Sequence, residues 1–417
     1  MKFYKVIPLL FLYLFTTFAA FAQSYDTSGG SVTFAFNHVK GERSRILSTV
    51  DEDIYFNSQF DHHSQIVNRV TAEVTEAYED GSGMLDCIYM TTEDASKTKD
   101  GAKFNYGEEY HSIFKRSCNG TYDISDEYFM PTVRDVPVFP NHEVNPGDTW
   151  TANGHEAHDL RKSFNYEKPY KVPFTATYKY LGTVKTDGII LDVISVKYST
   201  YFETPENNIG ETNQYEDWPV SMMAYSDELI YWNRSKNDID HYSESFRIQL
   251  ETAYGNIFEY KGTAHAEVTY MEKTSTPEQQ QTVEDKVEDL NIDNVTVHQG
   301  DRGLVITLED IKFKPDSSEL LDSEKEKIIK IAELLKDYPD NDILVTGHTA
   351  LAGNEKSRKQ LSEQRAQAVA DFLIQLEVKD PYHIFTQGLG ATQPIAPNNT
   401  EEGKAKNRRV EITIMDK

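Results

Sequence analysis

The sequence predicts a multidomain protein, in which an N-terminal all-β, sandwich-like region precedes a C-terminal α/β sandwich. Three observations favour this fold class. Residues 31–272 are rich in Tyr, Phe, Thr and Val, in short segments punctuated by Gly, Asn and Asp, as strands and turns are. Residues 301–417 instead alternate strand patterns with two long amphipathic helix patterns. The chain also has 417 residues, too many for one ordinary hydrophobic core.

The first 22 residues have the pattern of a secretory signal peptide. Lys2 and Lys5 form a basic start, and the apolar run that follows ends in small residues at Ala20 and Ala22. We therefore expect cleavage after Ala22 and an exported protein that is periplasmic or associated with the outer membrane. No later segment approaches the eighteen apolar residues of a membrane span, so the sequence predicts no spanning helix.

A β-rich domain is expected over residues 23–273. Residues 32–36 alternate between apolar and polar and predict a strand. Residues 189–201 predict a long strand whose phase slips at Val193-Ile194, which indicates a β-bulge. Several prolines between residues 131 and 150 are poorly tolerated in central strands and indicate an edge, a crossover or a sub-domain boundary.

Composition and motifs argue against several classes of function. The formal net charge of −26 disfavours nucleic acid and anionic membranes as partners. No nucleophile elbow, phosphate loop or zinc pattern is present, so we expect no enzyme activity, cofactor or metal site. Residues 155–158 (HEAH) and 61–63 (DHH) are interpreted as surface polar groups. Cys87 and Cys118 either pair in an oxidising compartment or remain two free thiols.

The C-terminal part has the clearest element pattern. Residues 274–300 are expected to form a linker and a lead-in hairpin before an α/β domain over residues 301–417. Ser323 and Glu326 predict a capping box at the start of the first long helix. The second long helix is expected to bury a stripe at three-four spacing, made of Leu361, Val369, Phe372 and Leu376.

Arg365 falls on that apolar stripe of the second helix, where a charge is costly to bury without a partner. Arg358 lies one heptad earlier, only about 20° away around the helix. Two guanidiniums on one face suit a carboxylate ligand, because their fork geometry matches its two oxygens. An internal salt bridge with an acid of the same domain is an equally good interpretation.

Several motifs in a fixed order resemble the OmpA-like peptidoglycan-binding domain family. They are GHT at 347–349, LSxxRAxxV at 361–369, QGxGxxxPIAxN at 387–398, NRRVEI at 407–412 and the opening segment FKPDSSEL at 313–320. The resemblance covers residues 303–417. It implies an OmpA-like α/β sandwich in the periplasm that grips the diaminopimelate of the peptidoglycan stem peptide without covalent chemistry.

In that family, an aspartate directly after GHT contacts the ligand ammonium, and the arginine of LSxxR contacts its carboxylate. Arg365 matches the arginine, but Ala350 stands at the aspartate position, Arg358 replaces the usual asparagine, and Lys314 stands where many members have an acid. The loss of such a charge-assisted contact costs on the order of 1.5–3 kcal/mol. The candidate peptidoglycan-binding residues are Arg365, Arg358, Ala350, Thr349, Phe313 and Arg408.

The expected function is therefore that of a non-catalytic, structural cell-envelope protein whose divergent site binds peptidoglycan with weakened or altered preference. Other envelope proteins are expected as further partners. One alternative is a degenerate OmpA-like domain that serves only as a protein-interaction module. Another alternative is an outer-membrane β-barrel with a periplasmic anchor. Charged residues at both odd and even positions of the candidate strands disfavour it, because a barrel strand needs one apolar, lipid-facing side.

Overall fold

The computed structural model describes residues 24–94, 103–186, 188–205, 217–270, 276–314 and 317–416. The signal-peptide prediction lies outside these ranges, as do Pro315 and Asp316 of the FKPDSSEL motif. The described residues form two sheets, one of twelve strands and one of six. Among the described helices, none is both long enough and apolar enough to cross a membrane.

The twelve-stranded sheet contains almost all of the N-terminal region. Its strands, in chain order, are β1 Arg43–Phe56, β2 Gln59–Ala77, β3 Gly83–Glu93, β5 Glu108–Arg116, β6 Tyr122–Asp123, β7 Val133–Arg134, β8 Thr149–His158, β9 Tyr170–Thr186, β10 Ile189–Glu203, β11 Pro219–Asn233, β12 Asp238–Thr252 and β13 Ile257–Tyr270. A short strand, β4 Phe104–Asn105, interrupts this series and belongs to the other sheet, and a single-turn helix, α1 Arg161–Phe164, follows β8.

This sheet is antiparallel, and its strand order is β6-β5-β3-β2-β1-β13-β12-β11-β10-β9-β8-β7. Its two edges, β6 and β7, are consecutive in the chain, and the Tyr122 backbone N–H donates a 2.7 Å hydrogen bond to Asp135 just beyond β7. The sheet is therefore nearly closed on itself. The all-β prediction is confirmed. One curved sheet surrounds the interior, where a sandwich would have two separate sheets.

The predicted strand at residues 32–36 is wrong in detail. Val32 forms a single bridge to Val144, and the segment that follows is not part of a strand. Its alternation has another cause, because Phe34 and Phe36 insert into the interior of the curved sheet and pack edge-on against Trp232. By contrast, the bulge predicted in β10 is confirmed, since its pairing with β9 shifts register between Val193 and Ile194.

The six-stranded sheet forms the C-terminal α/β domain, with strand order β14-β15-β18-β16-β17-β4. Its elements in chain order are α2 Pro277–Asp289, β14 Val295–Gly300, β15 Gly303–Glu309, α3 Asp322–Leu335, β16 Ile343–His348, α4 Glu355–Gln375, β17 Ile384–Gly390, α5 Glu401–Asn407 and β18 Arg409–Met415. Helices α2, α3 and α4 bury their apolar residues against this sheet in one core. The predicted hairpin is confirmed as the antiparallel pair β14 and β15.

The predicted capping box on α3 is wrong. The helix begins at Asp322, with Leu321 as the N-cap residue, and no side chain accepts a capping hydrogen bond there. Ser323 therefore lies inside the first turn instead of in front of it. Two acids in that turn, Asp322 and Glu324, interact favourably with the positive end of the helix dipole instead.

The two sheets pack directly on each other. Strand β4, which lies between β3 and β5 in the chain, pairs in parallel with β17 and so extends the C-terminal sheet. Outward-facing residues of β1 to β4 form an apolar cluster with the C-terminal sheet. Its buried members are Leu47, Val67, Met90, Phe104, Leu344, Phe385 and Met415. The N-terminal region therefore covers the face of the C-terminal sheet that the helices leave open.

A buried ionic cluster also joins the two regions. The Asp342 carboxylate, at the start of β16, is 2.7 Å from Arg45 Nη1, 2.6 Å from Arg69 Nε and 2.8 Å from His383 Nδ1. Its side chain is fully buried. Two arginines of the N-terminal sheet thus converge on one acid of the C-terminal domain.

Candidate functional site

The predicted site is built where α4 crosses β16 and β17 at very short distance. A Cβ on Gly347 would lie 2.0 Å from the Ser362 carbonyl oxygen, and one on Gly388 would lie 2.5 Å from the Glu363 nitrogen. The Ser362 hydroxyl accepts a 2.8 Å hydrogen bond from the Gly390 N–H and fixes the helix against β17. These glycines of the GHT and QG motifs therefore allow the close approach.

The close approach corrects the predicted buried stripe of α4. The buried residues are Ser362, Ala366, Val369, Ala370 and Leu373. Three of these five are small, because a helix this close to the sheet has no room for large side chains. Leu361, Phe372 and Leu376 are only partly buried, and Arg365 lies at the margin of the interface.

The loop after β16 carries two of the predicted site residues, Thr349 and Ala350, both only 7% exposed. The Thr349 N–H donates a 2.8 Å hydrogen bond to the Gly390 carbonyl, which ties this loop to the end of β17. The Thr349 hydroxyl is buried and has no hydrogen-bond partner among the described residues. A polar group in that condition is rare in proteins and calls for a ligand or a water molecule.

Two asparagines that the sequence-based site did not include hold this loop in place. Asn398 Oδ1 accepts hydrogen bonds from the Leu351 N–H at 2.9 Å and from the Asn407 amide at 3.0 Å. Asn407 is itself buried, and its side chain also bonds the backbone of Ala396 as both donor and acceptor. The signal was present, since both asparagines stand in quoted motifs, but a positioning role cannot be read from the letters.

Arg365 and Phe313 are brought together, as the site prediction requires. The Arg365 guanidinium carbon lies 4.7 Å from the centre of the Phe313 ring, a cation–π contact. Phe313 is held by its bridge to Leu320. The ring thus orients the half-buried arginine at the margin of α4.

The other predicted basic residues have different neighbours. An Arg358 Nη donates to the Gly353 carbonyl, and the Arg358 Nε is buried without a partner among the described residues. The Arg358 guanidinium is therefore engaged with the loop before α4, while Arg365 lies over Phe313. Lys314 pairs with Glu319 at 2.5 Å, and Arg408 lies 3.6 Å from Asp310. The proposed convergence of Arg358 and Arg365 on one carboxylate has no support from these contacts.

An ionic group lies beneath the GHT motif. His348 Nε2 is 3.5 Å from Glu411, and Arg409 Nε donates a 2.7 Å hydrogen bond to the same carboxylate. Burial alone would raise the pKa of Glu411, but His348 and Arg409 outweigh it and lower the pKa to about 2. Burial also lowers the pKa of His348, so its ring is neutral at neutral pH and Arg409 is the main counter-charge of Glu411 there.

We expect Glu411 to make the protein sensitive to acid. Because its pKa is lower in the folded than in the unfolded chain, its stabilising contribution is complete above about pH 4.5 and is lost as the pH falls towards 2. The Glu411→Gln variant should lack this component, which we expect to be about 3 kcal/mol. Urea unfolding of both proteins from pH 7 to pH 2 measures it. A difference in unfolding free energy that stays constant with pH would contradict the assignment.

Other sequence interpretations are settled by position. Cys87 and Cys118 are both free thiols, so the disulfide interpretation is wrong.

The HEAH segment lies on β8 and is not a surface group, because Glu156 is buried and His158 is mostly buried. The distance between Glu156 Oε2 and His158 Nε2 is 2.7 Å. The surface interpretation was wrong because the alternation of β8 points the Glu156 and His158 side chains towards the interior of the curved sheet. In the described ranges, no cluster of three or more His, Cys, Asp or Glu side chains is arranged for a metal ion.

Comparison with known proteins identifies the C-terminal part. The model of the OmpA family matches residues 312–408. The chain is 43% identical over 104 residues to the peptidoglycan-binding protein ArfA of Mycobacterium tuberculosis, which covers 25% of this chain and 32% of that protein. It is 41% identical over 115 residues to the probable lipoprotein YiaD of Escherichia coli, and this match covers 28% of this chain and 52% of that protein.

Among solved structures, the cell wall anchor of the T6SS from Pseudomonas aeruginosa is 30% identical, with coverage of 32% of this chain and 96% of that one and a TM-score of 0.29. The chain spans 32% of the length of ArfA and 52% of the length of YiaD. The family assignment therefore concerns the C-terminal domain.

Proposed function

Because residues 312–408 of this chain belong to the OmpA family, we propose that it is a non-catalytic cell-envelope protein whose C-terminal domain binds the peptidoglycan stem peptide non-covalently. The relatives support this proposal, since one of them, ArfA, is named for peptidoglycan binding. The observation that carries it is the buried hydroxyl of Thr349, which has no hydrogen-bond partner among the described residues and lies in the loop that Asn398 and Asn407 hold in shape. Such a group suits a polar ligand at this position.

The proposed site prefers a carboxylate to an ammonium. Arg365 supplies a cation whose plane is set by Phe313, whereas Ala350 supplies no anion where the family has an aspartate. A ligand with both charges therefore keeps its carboxylate contact and loses its ammonium contact. We propose that the site binds diaminopimelate-containing stems weakly and tolerates stems that lack the ammonium group.

The test is retention of the full mature protein on purified sacculi that contain diaminopimelate. Arg365→Ala should lower the apparent affinity by about ten- to a hundredfold, because one charge-assisted contact is lost. Ala350→Asp should raise it by a similar factor, since the ammonium gains a partner. Co-sedimentation at increasing sacculus concentration gives both affinities.

Arg247→Ala is a matched control, because this exposed arginine of the N-terminal sheet pairs with Glu259 and with no other described residue. Its retention should equal that of the parent protein. If the parent protein is not retained and Ala350→Asp restores retention, native wall binding is wrong and the domain is a protein-interaction module. Retention that Arg365→Ala leaves unchanged would contradict the role of this arginine.

A further inference from the structure

The inner face of the curved N-terminal sheet lines a cavity of about 510 Å³ that is open to solvent on part of its boundary. This volume lies in the range of small-molecule binding sites. Residues from the inner faces of at least eight strands line it, and most of the wall is apolar, with Ile46, Ile66, Val70, Leu85, Phe114 and Ile248 as representatives. The cavity lies in the N-terminal region, so nothing about it depends on the proposed peptidoglycan site.

Two glutamates face each other on the wall of this cavity. Glu228 of β11 and Glu244 of β12 are directly opposite in the strand register, and both side chains line the cavity. Like charges in directly opposite positions destabilise a sheet. Ser226 donates a 2.6 Å hydrogen bond to Glu244, whereas Glu228 receives no hydrogen bond and forms no ion pair with any described residue.

The protonation of the pair follows from this environment. Burial and the neighbouring Glu244 raise the pKa of Glu228 well above its ordinary value. Burial and Glu156 also raise the pKa of Glu244, although the bond from Ser226 opposes this. Both carboxyl groups are therefore easier to protonate than ordinary glutamates, and a cation bound beside them would favour their ionised forms.

In the part of the chain that the structure describes, no cationic side chain forms an ion pair with Glu228 or Glu244. Among the described residues that line the cavity there are six carboxyl groups, one arginine and no lysine. The arginine, Arg116, stacks on the Phe36 ring at 3.6 Å. His158 is already bonded to Glu156. The titratable or charged residues that line the cavity besides the pair are His38, Glu42, Glu52, Cys87, Tyr89, Arg116, Tyr122, Glu156, His158, Tyr198, Tyr225, Asp238, Tyr242 and Tyr270.

We propose that this cavity binds an amphipathic organic cation, an amine or guanidine with an apolar body, and that Glu228 and Glu244 hold its cationic head. The apolar wall accommodates the body of such a ligand. The single positive charge of the head balances one of the two carboxylates, and it gives Glu228 a partner that the described residues do not supply. An anionic ligand would meet six carboxyl groups, and a neutral one would leave Glu228 unpartnered.

The test compares three probes with the same apolar chain, namely octylamine, 1-octanol and octanoate, on the full mature protein. Titration calorimetry at pH 8 should give an affinity for the amine at least about tenfold above that for the alcohol, with octanoate the weakest. The affinity for the amine should rise between pH 5 and pH 8, because its binding requires ionised carboxylates. Glu228→Gln combined with Glu244→Gln should lower the amine affinity about ten- to a hundredfold and leave the alcohol affinity unchanged.

Glu267→Gln is the matched control, because this glutamate is exposed on the neighbouring strand β13. It should bind all three probes as the parent does. If the double variant does not fold, the single Glu228→Gln variant and the pH dependence of amine binding to the parent protein test the same proposal. The proposal would be overturned if the amine and the alcohol bound with equal affinity, or if no probe bound. It would also be overturned if octanoate bound most tightly and Arg116→Gln abolished that binding.

Discussion

Replacing Asp342 with alanine should destabilise the protein by about 3–5 kcal/mol, the cost of leaving buried charges without their partner. Arg45 and Arg69 both contact this carboxylate, and their side chains are only 6% and 7% exposed. Burial alone would raise the pKa of Asp342, but Arg69, His383 and Arg45 together hold it far below its ordinary value. Urea denaturation of the full chain, monitored by tryptophan fluorescence, measures the loss of unfolding free energy.

The same substitution should uncouple the two regions, because Asp342 belongs to the C-terminal domain and both arginines belong to the N-terminal sheet. We expect limited proteolysis to release the C-terminal domain from the variant earlier than from the parent. Glu333→Ala is a suitable control, since this acid is exposed on α3 of the same domain. A loss below about 1 kcal/mol for Asp342→Ala would show that the cluster does not hold the interface.

Replacing Gly347 with alanine should cost about 3 kcal/mol or more, at the upper end of overpacking effects. The new Cβ would lie 2.0 Å from the Ser362 carbonyl oxygen and 2.9 Å from its carbon, and both are backbone atoms that cannot rotate away. Helix α4 must therefore shift from β16, and Arg365 shifts with it. We expect a lower unfolding midpoint and, in the sacculus assay, weaker retention of the folded fraction.

Gly29→Ala provides the matched control, because a Cβ at Gly29 meets nothing within 4 Å. This variant should unfold and sediment as the parent does. Gly388→Ala should reproduce the effect of Gly347→Ala, since its Cβ would lie 2.5 Å from the Glu363 nitrogen. If both strand variants keep the parental stability, close packing of α4 does not depend on these glycines.

Local sequence patterns identified the main features of the fold that depend on neighbouring residues. The phase slip at Val193-Ile194 predicted a bulge that the register confirms, and the hairpin of β14 and β15 follows from its flanking strands. The motifs around Arg365 and Phe313 indicated the OmpA-like domain, and the structure brings these two side chains into contact. Hydrophobic periodicity predicts such features because each of them involves only one strand or helix and its immediate partner.

Local patterns failed where the burial of a residue depends on a distant segment. Phe34 and Phe36 alternate like a strand, yet they are buried because the curved sheet closes around them. The stripe of α4 was assigned to large apolar residues, but Gly347 and Gly388 draw small ones into the interface. Glu156 and His158 were taken for surface groups because nothing in their neighbours shows which side of β8 faces inward.

By itself, the sequence determined the fold class, since that resides in composition and spacing. Its motifs carried the resemblance to the family of the C-terminal part and identified the charge-bearing residues there. Only the tertiary structure decided that β4 joins the second sheet, that Asp342 unites the two regions, and that Glu228 and Glu244 lie side by side on the wall of one cavity. The physical reason is that sheet closure and domain packing join residues far apart in the chain. A charge then acquires its partner, or is left without one, only through that long-range geometry.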